Sequence, residues 1–206
     1  KFVIRTMKIL FTGGGTGGHF YPIIAVAEAI RIYVEKEHLL SPQLYYIAPT
    51  PYDESLLHEL DIRFHPAPAG KLRRYRSLLN VLAAFKTAAG VVKALVLVYS
   101  IFPDVVFSKG GYASFPVVLA ARILGIPVFV HESDSKPGRV NAFAGKFAVR
   151  IAVSFPDAAQ YFPSDKVALT GNPIRRDIVN PQKSGAYEFL RLEHDVPVVF
   201  VLGGSS

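Results

Sequence analysis

Apolar residues along the chain gather into short runs, each followed by a glycine or proline turn and then by apolar positions at helical spacing. Lys8 to Thr12 is the first run and ends in Gly13 to Gly18. Beyond it Ile23, Ala27, Ile30 and Val34 recur three or four residues apart, which predicts a helix with Pro22 in its first turn. Further runs at Gln43 to Ala48, Arg63 to His65, Asp104 to Ser108, Pro127 to His131, Arg150 to Ser154 and Val167 to Thr170 predict strands. Helical patterns such as Phe115 to Leu124 separate them. Strand, turn and helix in repeated order predict an α/β fold, a doubly wound parallel sheet with helices on both faces.

The pattern weakens from Asn172 to Asp195, which is polar with two prolines, and a new buried-strand pattern runs from Val196 to Leu202 into Gly203-Gly204-Ser205-Ser206. The expected division is a Rossmann-like domain over residues 7–171, a linker over 172–195, and the first strand and glycine loop of a second domain over 196–206. The expected native start is Met7, with no secretory signal ahead of it. The most apolar window, Ala94 to Phe102, is about half of the ~20 residues a membrane-spanning helix needs, so no span is expected.

Half of the residues are hydrophobic and 19% are charged, which fits a globular chain and not a disordered one. Cysteine is absent, which rules out a disulfide scaffold and thiolate metal ligation and accords with a reducing compartment. The net charge of +7 is uneven. Arg63, Lys71, Arg73, Arg74, Arg76, Lys86 and Lys93 fall between Ile62 and Pro103 with no acid among them. The cluster from Lys71 to Arg76 precedes apolar Leu78, Leu79, Val81, Leu82 and Phe85, a combination suited to an anionic membrane surface and equally to a buried helix with a charged margin. No nucleic-acid motif accompanies it, and none is expected as a partner.

Chemistry concentrates in the glycine turns. Gly13-Gly14-Gly15-Thr16-Gly17-Gly18-His19 lies between a strand and a helix, where backbone N–H groups and the helix dipole favour an anion such as pyrophosphate. Gly13, Gly15 and Gly18 also fit a dinucleotide fingerprint, but the second strand ends in Ala48-Pro49-Thr50-Pro51 where a dehydrogenase needs an acid for the ribose, and Asp53 comes late. His19 closes the turn at the mouth of the expected cleft, placed to take a proton or to bind phosphate. A second turn, Lys109-Gly110-Gly111-Tyr112, again joins strand to helix. A third region offers His131, Glu132, Ser133 and Asp134, followed by Gly138 and Asn141, in which Glu132 and Asp134 are candidates for sugar hydroxyls or for orienting His19, or else helix caps. Arg175, after Gly171-Asn172-Pro173-Ile174, is a candidate phosphate partner.

Taken in order, the glycine-rich turn ending in His19, Lys109-Gly110-Gly111-Tyr112, His131-Glu132, Gly171 to Arg175 and Gly203-Gly204-Ser205 resemble the MurG family over essentially the whole chain from Met7. The resemblance implies the amino-terminal half of a GT-B glycosyltransferase that binds the acceptor. It implies inverting transfer of N-acetylglucosamine from UDP-N-acetylglucosamine to undecaprenyl-pyrophosphoryl-muramoyl-pentapeptide in peptidoglycan synthesis, with no metal or other cofactor, at the cytoplasmic face of the cell membrane. By the same resemblance His19 and Glu132 are the catalytic candidates. Thr16, Gly17, Gly18, Asp134, Arg175 and Ser205 are expected donor or diphosphate contacts, and Gly110, Gly111, Tyr112 and Asn141 expected acceptor contacts. Membrane contact is expected through Lys71, Arg73, Arg74, Arg76 and the adjacent apolar residues. The chain departs from the family at Ser133-Asp134, where Gln-Asn is usual: an ionised Asp accepts hydrogen bonds but donates none.

The alternatives are a related GT-B enzyme with another acceptor or with UDP-sugar epimerase chemistry, and a non-catalytic protein that uses the basic surface to recruit partners to a membrane. Lipid-dependent sugar transfer separates the first reading from both.

Overall fold

The computed structural model describes residues 6–71, 77–180, 185–193, 196–199 and 201. Seven strands, β1 (Lys8–Gly13), β2 (Gln43–Ala48), β3 (Ile62–Pro66), β4 (Val105–Gly110), β5 (Val128–Glu132), β6 (Arg150–Val153) and β7 (Val167–Leu169), form one parallel sheet in the order β3-β2-β1-β4-β5-β6-β7. All seven expected strands are present, shifted by a residue or two at their ends. The expected doubly wound α/β fold is the observed one.

Both faces are covered, which is why the strands read as continuous apolar runs. Successive side chains of a strand point to opposite faces. Ile9 and Phe11 of β1, with Leu44, Tyr46 and Ala48 of β2, pack beneath α1 (Gly17–Lys36) and α2 (Glu54–Glu59). Leu10, Tyr45, Ile47, Val106, Val128 and Val130 face the other way and pack with α3 (Leu78–Ile101) and α4 (Phe115–Ile123). The order reverses at β1, so the turns after β1, β4 and β5 sit side by side at the carboxyl edge, where ligands bind in such sheets.

Pro22 is the sixth residue of α1, beyond the first turn expected for it. Its ring removes the N–H that would otherwise bond the Gly18 carbonyl four residues back. α3 is one helix of 24 residues, so the apolar window of nine was only its last part. By length and composition Leu79–Ile101 is long and apolar enough to cross a membrane, well beyond the nine-residue window read from sequence, as the core helix of a soluble protein also can be. One face of α3 lies in the core through Ala83, Ala94, Val98 and Ile101. Gly90 is also buried there, because a Cβ would collide with the Pro68 carbonyl oxygen. The opposite face exposes Val81, Leu82, Phe85, Val92, Val96 and Tyr99.

α5 (Arg139–Ala144) follows β5 and α6 (Pro156–Ala159) follows β6, while α7 (Arg176–Val179) and α8 (Ala186–Leu190) come after β7 in the expected linker. Val196 to Val199 and Val201 form no strand. They are exposed and pair with no strand among the described residues, and an unpaired strand leaves its N–H and C=O groups without partners.

Candidate functional site

The first glycine turn carries the chain from β1 into α1, with Gly15 at φ 94°. A Cβ on Gly15 would lie 2.6 Å from the Tyr112 ring, so glycine there allows Tyr112 to lie directly across the turn. Thr16 is the N-cap residue of α1, yet its hydroxyl caps no backbone N–H. It meets Nδ1 of His19 at 3.0 Å instead. That contact leaves N–H groups of the first turn without a side-chain cap, facing outward with the positive end of a 20-residue helix behind them.

Nε2 of His19 lies over the second turn: a Cβ on Gly111 would come within 3.0 Å of it and 3.1 Å of the Gly14 carbonyl oxygen. Gly110 and Gly111 have φ 87° and 78°, a region that favours glycine. Burial lowers the His19 pKa from its ordinary value, and the positive charge of Lys109 lowers it further, while Asp134 and Glu132 act in the opposite direction. The imidazole is therefore neutral near pH 7. In the tautomer whose Nδ1–H donates to the Thr16 hydroxyl, Nε2 carries a lone pair able to take a proton at the cleft mouth.

The third region is tied down. Glu132, only 3% exposed, accepts from the Asp134 N–H at 3.0 Å through Oε1, and from the Gly138 N–H at 3.1 Å and the Asn141 amide at 3.0 Å through Oε2. Both oxygens are engaged, so the carboxylate, read from sequence as a catalytic candidate or a cap, anchors the 133–138 loop. Asn141 is buried, donates also to the His131 carbonyl at 3.1 Å, and lies against Gly110. Asn141 thus backs the second turn, and its Oδ1 accepts no hydrogen bond among the described residues. The Asp134 carboxylate, in contrast, is exposed at the cleft. His131 meets the Gly171 carbonyl through Nε2 at 3.0 Å, linking β5 to the segment after β7, and burial lowers its pKa.

Arg175 stacks over the Tyr21 ring at 4.6 Å and meets Asp177 at 3.5 Å. It lines a cavity of about 500 Å³ with Gly17, Gly18, Tyr21, Tyr52 and Ile174, at the amino end of α1. Thr16, Gly17, Gly18, His19, Gly110, Gly111, Tyr112, Asp134 and Arg175 thus line one edge of the sheet. Ser205 lies outside the described residues, as do Arg73, Arg74 and Arg76, while Lys71 is exposed. Asp53, too late in sequence for a ribose contact, is the N-cap of α2, accepting from the Ser55 and Leu56 N–H groups.

Two features went unread in sequence. Tyr52, in the left-handed region at φ 65°, sits with its hydroxyl over Gly17. The other is Lys109, whose signal in the sequence is a lysine between Ser108 and Gly110 at the end of an apolar strand.

Known proteins share this arrangement. A transferase of Lachnospira eligens named UDP-N-acetylglucosamine--N-acetylmuramyl-(pentapeptide) pyrophosphoryl-undecaprenol N-acetylglucosamine transferase is 40% identical over 200 residues, covering 97% of this chain and 54% of its own length. The protein of that name from Treponema pallidum is 39% identical, covering 96% and 51%. The chain thus spans about half the length of the curated relatives it matches. Among solved structures, MurG of Acinetobacter baumannii superposes with a TM-score of 0.61 at 26% identity over 85% of this chain and 48% of that one. A UDP-N-acetylglucosamine 2-epimerase of Neisseria meningitidis bound to UDP-N-acetylglucosamine shares the fold, with a TM-score of 0.54 at 16% identity over 82% of this chain and 46% of that one. The model of the glycosyltransferase family 28 N-terminal domain matches residues 9–153, from β1 to the last residue of β6, and the chain belongs to that family.

Proposed function

We propose that this chain is the acceptor-binding half of an inverting glycosyltransferase that moves N-acetylglucosamine from UDP-N-acetylglucosamine to a lipid-linked muramoyl-pentapeptide. The observation that carries the reading is the placement of His19, its pKa lowered by burial, between two glycine turns, in a chain whose relatives bear the name of that reaction. The acceptor hydroxyl enters between Gly111 and His19. Nε2 takes its proton as the oxygen attacks the anomeric carbon, and UDP departs with the electrons of the broken C–O bond. The uncapped amino end of α1 and the Arg175 guanidinium favour diphosphate near Gly17 and Gly18. The second domain, for which residues 196–206 are the proposed start, supplies the remaining donor contacts.

The exposed apolar face of α3, with exposed Lys71, Lys86 and Lys93 beside it, supports docking on an anionic membrane. Arg73, Arg74 and Arg76 extend that basic charge in sequence. Peripheral attachment at the cytoplasmic face follows from a lipid-linked acceptor, and places the product in cell-wall synthesis.

The test uses an enzyme of the relatives' full length that carries this sequence as its first half, given UDP-N-acetylglucosamine and a synthetic lipid-linked muramoyl-pentapeptide. Disaccharide product that falls by roughly 10²-fold or more in His19→Ala is expected for loss of a general base. Product formed equally well by the variant refutes the role of His19, and no product from the parent refutes the reaction.

A further inference from the structure

β4 carries an irregularity beside the site. Thr12 of β1 pairs with Ser108, but Gly13 pairs with Gly110, so Lys109 is an extra residue between them. The Gly110 N–H turns to the Ser108 hydroxyl at 3.3 Å. Bulges are uncommon between parallel strands and serve to re-aim a side chain. Here the bulge sends Lys109 inward, leaving it 2% exposed, with Nζ donating to the Ser133 hydroxyl at 2.8 Å. A Cβ on Gly13 would lie 2.9 Å from the Lys109 Cβ, so only glycine opposite it admits the lysine stem.

A buried ammonium costs several kcal/mol unless charges and donors around it compensate. Burial lowers the Lys109 pKa from its ordinary value, and the carboxylates of Glu132, at the end of β5, and Asp134, in the loop after it, act in the opposite direction. Glu132 is itself locked to the 133–138 loop, and Ser133 starts that loop. The lysine is therefore the link between the turn after β4 and the loop after β5, on the side facing His19 of α1.

We propose that Lys109 is a positioning residue of the transfer site, whose buried ammonium holds Ser133 and sets the Asp134 carboxylate against the His19 side of the cleft. The inference rests on the reading of His19 as the base. It also accounts for Ser133-Asp134 in this chain: a serine is short enough to receive the ammonium, and an aspartate offsets its charge. The charged groups acting on His19 are Lys109 from β4, Glu132 from the end of β5 and Asp134 from the loop after it, and on His131 they are Lys109 and Glu132. Removing the lysine leaves His19 facing carboxylates alone, which raises its proton affinity.

The experiment compares Lys109→Met and Lys109→Arg. Methionine keeps the stem and removes a buried charge, so the fold is expected to be retained, and Lys109→Gln serves if it is not. His19 is titrated by NMR in the 206-residue chain, and kcat/KM is followed against pH in the full-length enzyme. In Lys109→Met the His19 titration and the acidic limb of kcat/KM both move to higher pH, and kcat falls about 10-fold or more with donor KM nearly unchanged. Arginine keeps the limb in place. A His19 titration and acidic limb unmoved in a folded Lys109→Met or Lys109→Gln variant overturn the proposal, whatever the change in melting temperature. If the parent makes no disaccharide, the reading of the reaction fails, and the NMR titration decides the role of Lys109 by itself.

Discussion

Replacing Glu132 by Gln tests the anchoring of the 133–138 loop. The carboxylate accepts three hydrogen bonds with little solvent access, one at Oε1 and two at Oε2. An amide offers one oxygen. If that oxygen takes the place of Oε2, the new NH₂ confronts the Asp134 N–H; in the other orientation it confronts the Gly138 N–H and the Asn141 amide. The loss is at least one charge-assisted bond, about 1.5–3 kcal/mol, and a buried donor set against a donor adds about 1–3 kcal/mol. Relief of a buried charge offsets part of this, but it leaves the Lys109 ammonium with less compensation. The expected loss is about 2–5 kcal/mol, or a fall of roughly 5–15 °C in Tm for a chain of this size. Thermal unfolding followed by circular dichroism, with urea titration at 25 °C, measures it. A change of less than about 2 °C would refute the reasoning, because it would mean that the three contacts hold nothing.

Other substitutions read the site and surface separately. Gly111→Ala puts a Cβ at 3.0 Å from His19 Nε2 in backbone at φ 78°, so it should cost about 1–2 kcal/mol of stability and displace the imidazole, lowering kcat about 10-fold or more. Urea titration and steady-state kinetics check the two effects. Acidification should destabilise the chain through His19 and His131, whose folded pKa values burial depresses. The unfolded chain takes up those protons near pH 6.5 while the folded one does not, so stability falls as pH drops through that value and levels off below the folded pKa. Urea midpoints at pH 7.5, 6.5 and 5.5 give the slope, and equal midpoints would contradict the burial argument. Phe85→Glu removes an exposed aromatic from the apolar face of α3, so Tm should hardly move while binding to vesicles containing phosphatidylglycerol weakens about 10-fold or more. Co-sedimentation measures that loss.

The central strands were legible because both faces of the sheet are buried there, so β1, β2 and β4 read as mainly apolar runs that end near a glycine or proline. α3 was not, since Asn80, Lys86 and Lys93 interrupt its hydropathy while its packing face, Ala83, Ala94 and Val98, is made of small residues that carry little signal. Pro22 was misplaced by a rule for helix starts that the glycines ahead of it had already satisfied. At the site, the residues that line the cleft stood out as motifs. Those that support it did not: Glu132 and Asn141 bond to partners two to ten residues away, and nothing in their spacing separates a locked carboxylate from an open one.

The location of the site follows from strand order more than from any motif. In a parallel sheet every strand delivers its following turn to the same edge, so Gly13, Gly110 and Glu132, far apart in sequence, end on neighbouring strands β1, β4 and β5. Two turns from adjacent strands collide unless their Cβ atoms are absent, and Gly15 and Gly111 meet Tyr112 and His19 at distances no Cβ tolerates comfortably. With the backbones that close, His19 gives up water on one side and its neighbours' charges act on it at short range. The register between β1 and β4 decides which charge that is. If Lys109 continued the ladder opposite Gly13 instead of bulging from it, the buried lysine beside His19 would be lost. The bulge is thus the point at which sheet geometry sets the charge near His19.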